Sequence, residues 1–133
     1  MARFEVFANP GGAGYVLDVQ ADVLNRLNTR IVVPLVPMAQ SPVPAKRLNP
    51  VFEIGDEQHV MVTQFLAAVP CALLRNPVTS LVAQDSEIMA ALDMVLVGFW
   101  PESEFFRWHQ IKLMEQGRKS AHMFHKLSSR SVT

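Results

Sequence analysis

A few groups of residues in this 133-residue chain have the types and spacing that chemistry uses. Gly11-Gly12-Ala13-Gly14 is a glycine-rich run of the kind that can cradle a phosphate. A phosphate loop closes on Gly-Lys-Ser/Thr and opens a helix, because backbone N–H groups and a lysine must converge on the anion. Both are missing here, and Tyr15 to Gln20 reads as a strand, so the run is expected to be a hairpin loop. Asp18 and Asp22 stand four apart, as paired carboxylates can. On a strand-to-turn segment they are expected to accept hydrogen bonds from local backbone instead. Asp56-Glu57 reads as a turn. His122 and His125 could share a metal ion, but no Cys and few acids lie nearby to complete a ligand set. His59 is expected to point outward from its strand. Cys71 is the one cysteine, so no internal disulfide can form, and its apolar run (residues 69–74) marks it as a small buried hydrophobe. Cleavage of RNA would need a general acid, a general base and a cation beside the phosphate. Residues 1–99 offer one His and six Lys/Arg without a cluster. No catalytic residue, metal or cofactor is therefore expected from these groups.

The elements that must position any site read as strands first and a helix last. Residues 3–8 alternate apolar and polar like a half-buried strand. The loop of residues 9–14 and the strand of residues 15–20 complete a hairpin. Residues 30–36 are β-branched and apolar, but Pro34 cannot donate to a ladder and is expected on an edge or at a bulge. Four prolines between Pro37 and Pro50 make residues 37–47 an extended connection. Residues 51–54 and 58–63 flank Gly55-Asp56-Glu57 as a second hairpin, and residues 69–74 suit one more short strand. From Asp85 the period changes. Ile88, Leu92, Val95, Leu96 and Phe99 form a helical stripe. Asp85 or Ser86 can cap its start, and Pro101 is expected to stop it at Trp100. A further helix is expected over residues 102–116, then a basic, serine-rich disordered end. This order predicts an α+β, mainly β domain with a mostly antiparallel sheet.

Composition sets the class. Half of the residues are hydrophobic and 18% are charged, which suits a globular domain. Net charge is zero, so no overall basic field draws nucleic acid. Residues 1–99 hold six basic and nine acidic residues, a net of −3, and residues 100–133 hold six and three, a net of +3. Charge thus already suggests that the last quarter differs from the rest. With no apolar signal core at its start and no apolar run approaching 18 residues, it is expected in the cytoplasm and off the membrane.

Short strings then carry a resemblance. Asp18-Val19-Gln20-Ala21-Asp22, Arg30 with Val32-Val33-Pro34-Leu35, and Leu48-Asn49-Pro50-Val51 with Ile54-Gly55-Asp56-Glu57 resemble successive segments of the CcdB family. Met61-Val62-Thr63, Ala67-Ala68-Val69-Pro70, Glu87 to Asp93 and Val97-Gly98-Phe99 follow in the same order. The resemblance covers about three-quarters of the chain and implies a domain over 1–99 with an extension over 100–133. It implies an SH3-like barrel of the CcdB/Kid/MazF type with one C-terminal helix. It also implies a homodimeric toxin that binds the gyrase A subunit and traps gyrase on cleaved DNA. A cognate antitoxin would neutralise it, and operator DNA would be bound only through the antitoxin complex.

Carried over residue by residue, the implied gyrase contacts are Val23, Leu24, Asp93, Leu96, Val97, Gly98 and Phe99. Val23 and Leu24 keep an apolar pair, although an adjacent pair could equally be core. Two positions depart from the best-known member of the family, which has Trp in place of Val97 and a polar amide in place of Asp93. The extension after Phe99 is a third departure, since the family chain normally ends there. A toxin that binds antitoxin but no longer poisons gyrase is the alternative these departures raise. A Kid/MazF-type ribonuclease on the same fold is the other.

Overall fold

The structure is a computed structural model that describes residues 1–41 and 43–98. Phe99, Trp100, the expected helix over 102–116 and the pair His122 and His125 lie outside the described residues.

Seven strands form one antiparallel, barrel-like sheet: β1 (Glu5–Ala8), β2 (Tyr15–Asp18), β3 (Thr29–Pro37), β4 (Val51–Ile54), β5 (Glu57–Met61), β6 (Ala67–Pro70) and β7 (Thr79–Ser80). The strand order is β4-β5-β3-β2-β1-β7, and β6 also pairs with β3. One helix, α1 (Asp85–Val97), ends the described chain. The α+β, mainly β expectation therefore holds, with both hairpins in place. Gly14 and Gly55 adopt positive φ, 85° and 65°, at the two hairpin loops, a backbone that L side chains avoid. β7 and the short 3-10 turns, among them Asp22–Leu24 and Cys71–Leu73, are too brief to leave a periodic signal.

Register explains the core. Val6, Leu17 and Val33 are successive Cα partners across β1, β2 and β3, so their side chains share one face. That face packs against Ile88, Ala91 and Leu92 of α1, which recur at helical spacing. Burying each large aliphatic side chain there contributes about 1.5–3 kcal/mol. The opposite face carries Phe7, Val16 and Val32 beneath Leu74.

Three local expectations are corrected by this packing. β3 is central rather than an edge, because β5 and β6 share one of its sides. Pro34 sits where one partner gives way to the other, and its carbonyl accepts the Val62 N–H at 2.9 Å. Its missing donor therefore falls at a break in the ladder. His59 points inward, because it lies two residues from Met61 on the covered face. It meets Tyr15 edge-on at 5.0 Å, and its Nδ1 lies 3.0 Å from the Glu57 carbonyl. Cys71 is half-buried rather than core, since the strand ends at Pro70 and turns outward.

Candidate functional site

Two exposed apolar patches stand out, and each is held by a different device. The first is the turn Asp22–Leu24. Val23 is 87% exposed and Leu24 45%, so the adjacent pair is not core. Beneath it lies a buried polar network. Asp18 and Arg30, 0% and 1% exposed, form an ion pair in which Asp18 Oδ2 accepts from Arg30 Nε at 2.9 Å and Nη2 at 2.5 Å. Arg30 also donates to Asn25 Oδ1 at 2.6 Å. Asp18 Oδ1 accepts the Gln20 N–H at 3.0 Å, the local backbone bond expected of it. Gln20 accepts the Ile31 N–H at 3.1 Å and donates to the Leu24 carbonyl at 3.0 Å. Asp22 accepts the Arg3 N–H at 2.9 Å. The turn is thus fixed at both ends, while its apolar side chains take no part in the network. Burial pushes the Asp18 carboxyl above its ordinary range, and the Arg30 pair opposes that rise.

The second patch is the tip of α1. The first half of the sequence stripe is buried at Ile88 and Leu92, but Leu96 and Val97 are each 70% exposed. Asp93 is exposed too. The helix ends at Gly98, earlier than Pro101 implied. Gly98 adopts φ 69° and donates to the Asp93 and Met94 carbonyls at 3.2 and 3.0 Å. A left-handed glycine closes a helix without needing the proline.

Arg3 links the two patches. Its Nε donates to the Val19 carbonyl at 3.1 Å, and its Nη2 lies 3.3 Å from Met89 Sδ. Met89, Asp93 and Leu96 lie at i, i+4 and i+7, on one side of the helix. Seven residues of helix rise about 10 Å, so the tip stands roughly that far along α1 from the Arg3 contact. Of the implied contacts, the structure exposes Val23, Leu24, Asp93, Leu96, Val97 and Gly98, and Phe99 lies outside the described residues. Sequence reading missed the positioning residues Arg3, Arg30, Gln20 and Asn25. The one available signal was Arg30 opening an apolar run that is otherwise uncharged.

A groove of ≈ 530 Å³ runs along the opposite face of the sheet. The loop residues Asn9, Pro10 and Gly11 form one wall, and Phe65, Val69 and Leu73 stand across from them. Its lining residues are apolar, amide or backbone, and none carries an ionisable side chain. Among the described residues no three His, Cys, Asp or Glu gather as metal ligands, and no helix is long and apolar enough to cross a membrane.

A barrel-like antiparallel sheet closed by one C-terminal helix is the toxin fold the resemblance implied. It matches a solved endoribonuclease in complex with its cognate antitoxin from Mycobacterial species, at TM-score 0.61 and 19% identity. The match covers 76% of this chain and 99% of that one, and it concerns the fold. Within that class the family is definite. The family described as CcdB protein matches residues 3–98, and the chain belongs to it, a toxin family of toxin–antitoxin systems.

Proposed function

We propose that this toxin acts by binding the gyrase A subunit and trapping gyrase on cleaved DNA, and that a cognate antitoxin neutralises it. The observation that carries the reading is the exposure of Leu96 and Val97 on a helix whose preceding turns are buried. Aliphatic side chains left in water at a fixed tip are what a partner surface covers. Family membership says which partner to test first, since the tip and the Val23–Leu24 turn coincide with the implied gyrase contacts. Phe99 completes that set. In this reading residues 1–99 are the toxin domain, the active species is a cytoplasmic homodimer, and the operon is repressed through the antitoxin complex.

The mechanism requires no covalent chemistry from the toxin. Gyrase cuts DNA through its own tyrosines and opens a gate between two A subunits. A protein that fits the open gate and not the closed one shifts the equilibrium toward the cleaved state. A two-fold toxin dimer suits a two-fold gate, because one patch is then used twice.

A second reading has its own observation. Val97 gives an aliphatic tip where a stacked aromatic is usually the stronger anchor, and Asp93 adds a charge. A toxin that binds antitoxin but spares gyrase would fit those residues. Gyrase supercoiling and DNA-cleavage assays with the full chain and with a version ending at Phe99 separate the two. Trapped cleaved DNA with either protein supports the gyrase reading. Two folded proteins that leave gyrase untouched would leave the antitoxin-binding reading standing.

A further inference from the structure

The tip of α1 combines exposed apolar surface with negative charge, and the chain itself holds a segment of opposite chemistry. α1 carries Asp85, Glu87 and Asp93 and no basic residue. Those three acids equal the entire net −3 of residues 1–99. The carbonyl end of a helix adds partial negative charge, which a cation in the last turn would offset, and the last turn has none. Arg3 faces the same side of α1, but its guanidinium is engaged with Val19 and Met89 further back. Residues 100–133 follow directly after the tip with a net of +3. The segment first interleaves Trp100, Phe105, Phe106 and Trp108 with Glu102, Glu104 and Arg107, and its other cations, Lys112, Arg118, Lys119, Lys126 and Arg130, follow against one further acid, Glu115.

We propose that residues 100–133 dock in cis on the tip formed by Leu96 and Val97 and mask that surface from its partner. A tethered segment acts at an effective concentration of order millimolar, so modest contacts suffice to keep it docked. Aromatic side chains cover the aliphatic tip, and basic ones meet Asp93 and the helix end. The masking consequence rests on the partner-binding reading above, whereas the docking does not. Partner affinity is scaled down to the fraction of molecules left undocked.

Trp100 and Trp108 are the two tryptophans of the chain, and both lie in the segment. Trp100→Phe in the full-length protein leaves Trp108 as the single reporter. The expected result is severalfold weaker acrylamide quenching than in a free peptide of residues 100–133, unchanged over roughly a hundredfold dilution. High salt and Asp93→Lys should each raise quenching, because both weaken the charge match. The double substitution Leu96→Ser with Val97→Ser should bring it to the peptide level. Both side chains are largely exposed, so the urea midpoint of that variant should stay unchanged and confirm folding.

Quenching at the peptide level in the starting protein overturns the docking. So does protection that survives the double substitution, while protection lost on dilution assigns the tip to a second copy and overturns the cis arrangement. Cleavage at a protease site placed after Phe99 then tests the consequence. A docked fraction near nine in ten predicts about tenfold tighter binding to gyrase A after cleavage. If Trp108 is protected and the cleaved protein still ignores gyrase A, the docking stands and the gyrase reading fails. If Trp108 is free and the full chain binds gyrase A, the reverse holds.

Discussion

Arg30→Met is the substitution whose effect follows most directly from the buried network. Arg30 and Asp18 are 1% and 0% exposed, and Arg30 supplies both bonds to Asp18 Oδ2 and one to Asn25. Methionine keeps an unbranched stem in the same space, so the change removes charge and hydrogen bonds more than volume. Asp18 then keeps the Gln20 N–H as its partner, and Asn25 Oδ1 loses the guanidinium. Removing one member of a buried ion pair costs about 3–5 kcal/mol. With a urea slope of about 2 kcal/mol per molar, the midpoint should fall by roughly 2 M at pH 7. The pH dependence identifies the cause. In the native protein burial holds the Asp18 carboxyl above its ordinary value of 3.8, with Arg30 opposing. A carboxyl that holds its proton more tightly folded than unfolded lowers stability as pH climbs between its two values. Without Arg30 that interval extends further upward. The deficit of the variant should therefore be largest near neutrality and shrink as pH falls, vanishing only below 3.8, where the carboxyl becomes neutral in both states. A loss under about 1 kcal/mol at pH 7, or a deficit independent of pH, would refute the buried-charge argument.

Val97→Trp should tighten gyrase A binding by about 2 kcal/mol, roughly thirtyfold, measured by calorimetry on the chain ending at Phe99. Ile88→Ala, at a fully buried contact of α1 with the sheet, should lower unfolding free energy by about 2–5 kcal/mol in urea titration. Gly14→Ala and Gly98→Ala should differ although both glycines have positive φ. A β-carbon at Gly14 would lie 2.4 Å from the Leu35 carbonyl oxygen, whereas one at Gly98 meets nothing within 4 Å. Gly98→Ala should cost about 1–2 kcal/mol from backbone conformation alone, and Gly14→Ala clearly more, by comparison of thermal midpoints.

Both hairpins and the helix were legible because each rests on local signals: glycine-bearing turns, alternation and a 3.6-residue stripe. The Val23–Leu24 pair was only half legible: in a polar stretch at least one of two adjacent bulky residues should face solvent, but sequence left core and surface open for the pair, and the structure exposes both. What sequence could not place depends on pairing between distant residues. Pro34 reads as an edge residue until β5 and β6 are seen to divide one side of β3. His59 reads as outward until register sets it beside Met61 and Tyr15. Asp18 reads only as a local backbone acceptor until the register that joins it to Val32 sets it and Arg30 on the same side of neighbouring strands, Arg30 two residues from Val32 along β3. The end of the stripe was misplaced by two residues, because Gly98 closes the helix before Pro101 can act.

This division separates the part of the sequence that signals the family from the part that contacts a partner. Asp18, Gln20 and Arg30 hydrogen-bond with one another, with Asn25 and with the backbone, and so fix the Asp22–Leu24 turn. Val23, Leu24, Leu96 and Val97 carry no such duty, and their side chains lie largely in water. Substitution at those four positions changes the chemistry offered to a partner at little cost to the fold, since exposed changes are typically within about 0.5 kcal/mol. A chain of this construction keeps its toxin fold while its tip is retuned. The exchange at Val97 and the charge at Asp93 both fall on the adjustable tip of α1.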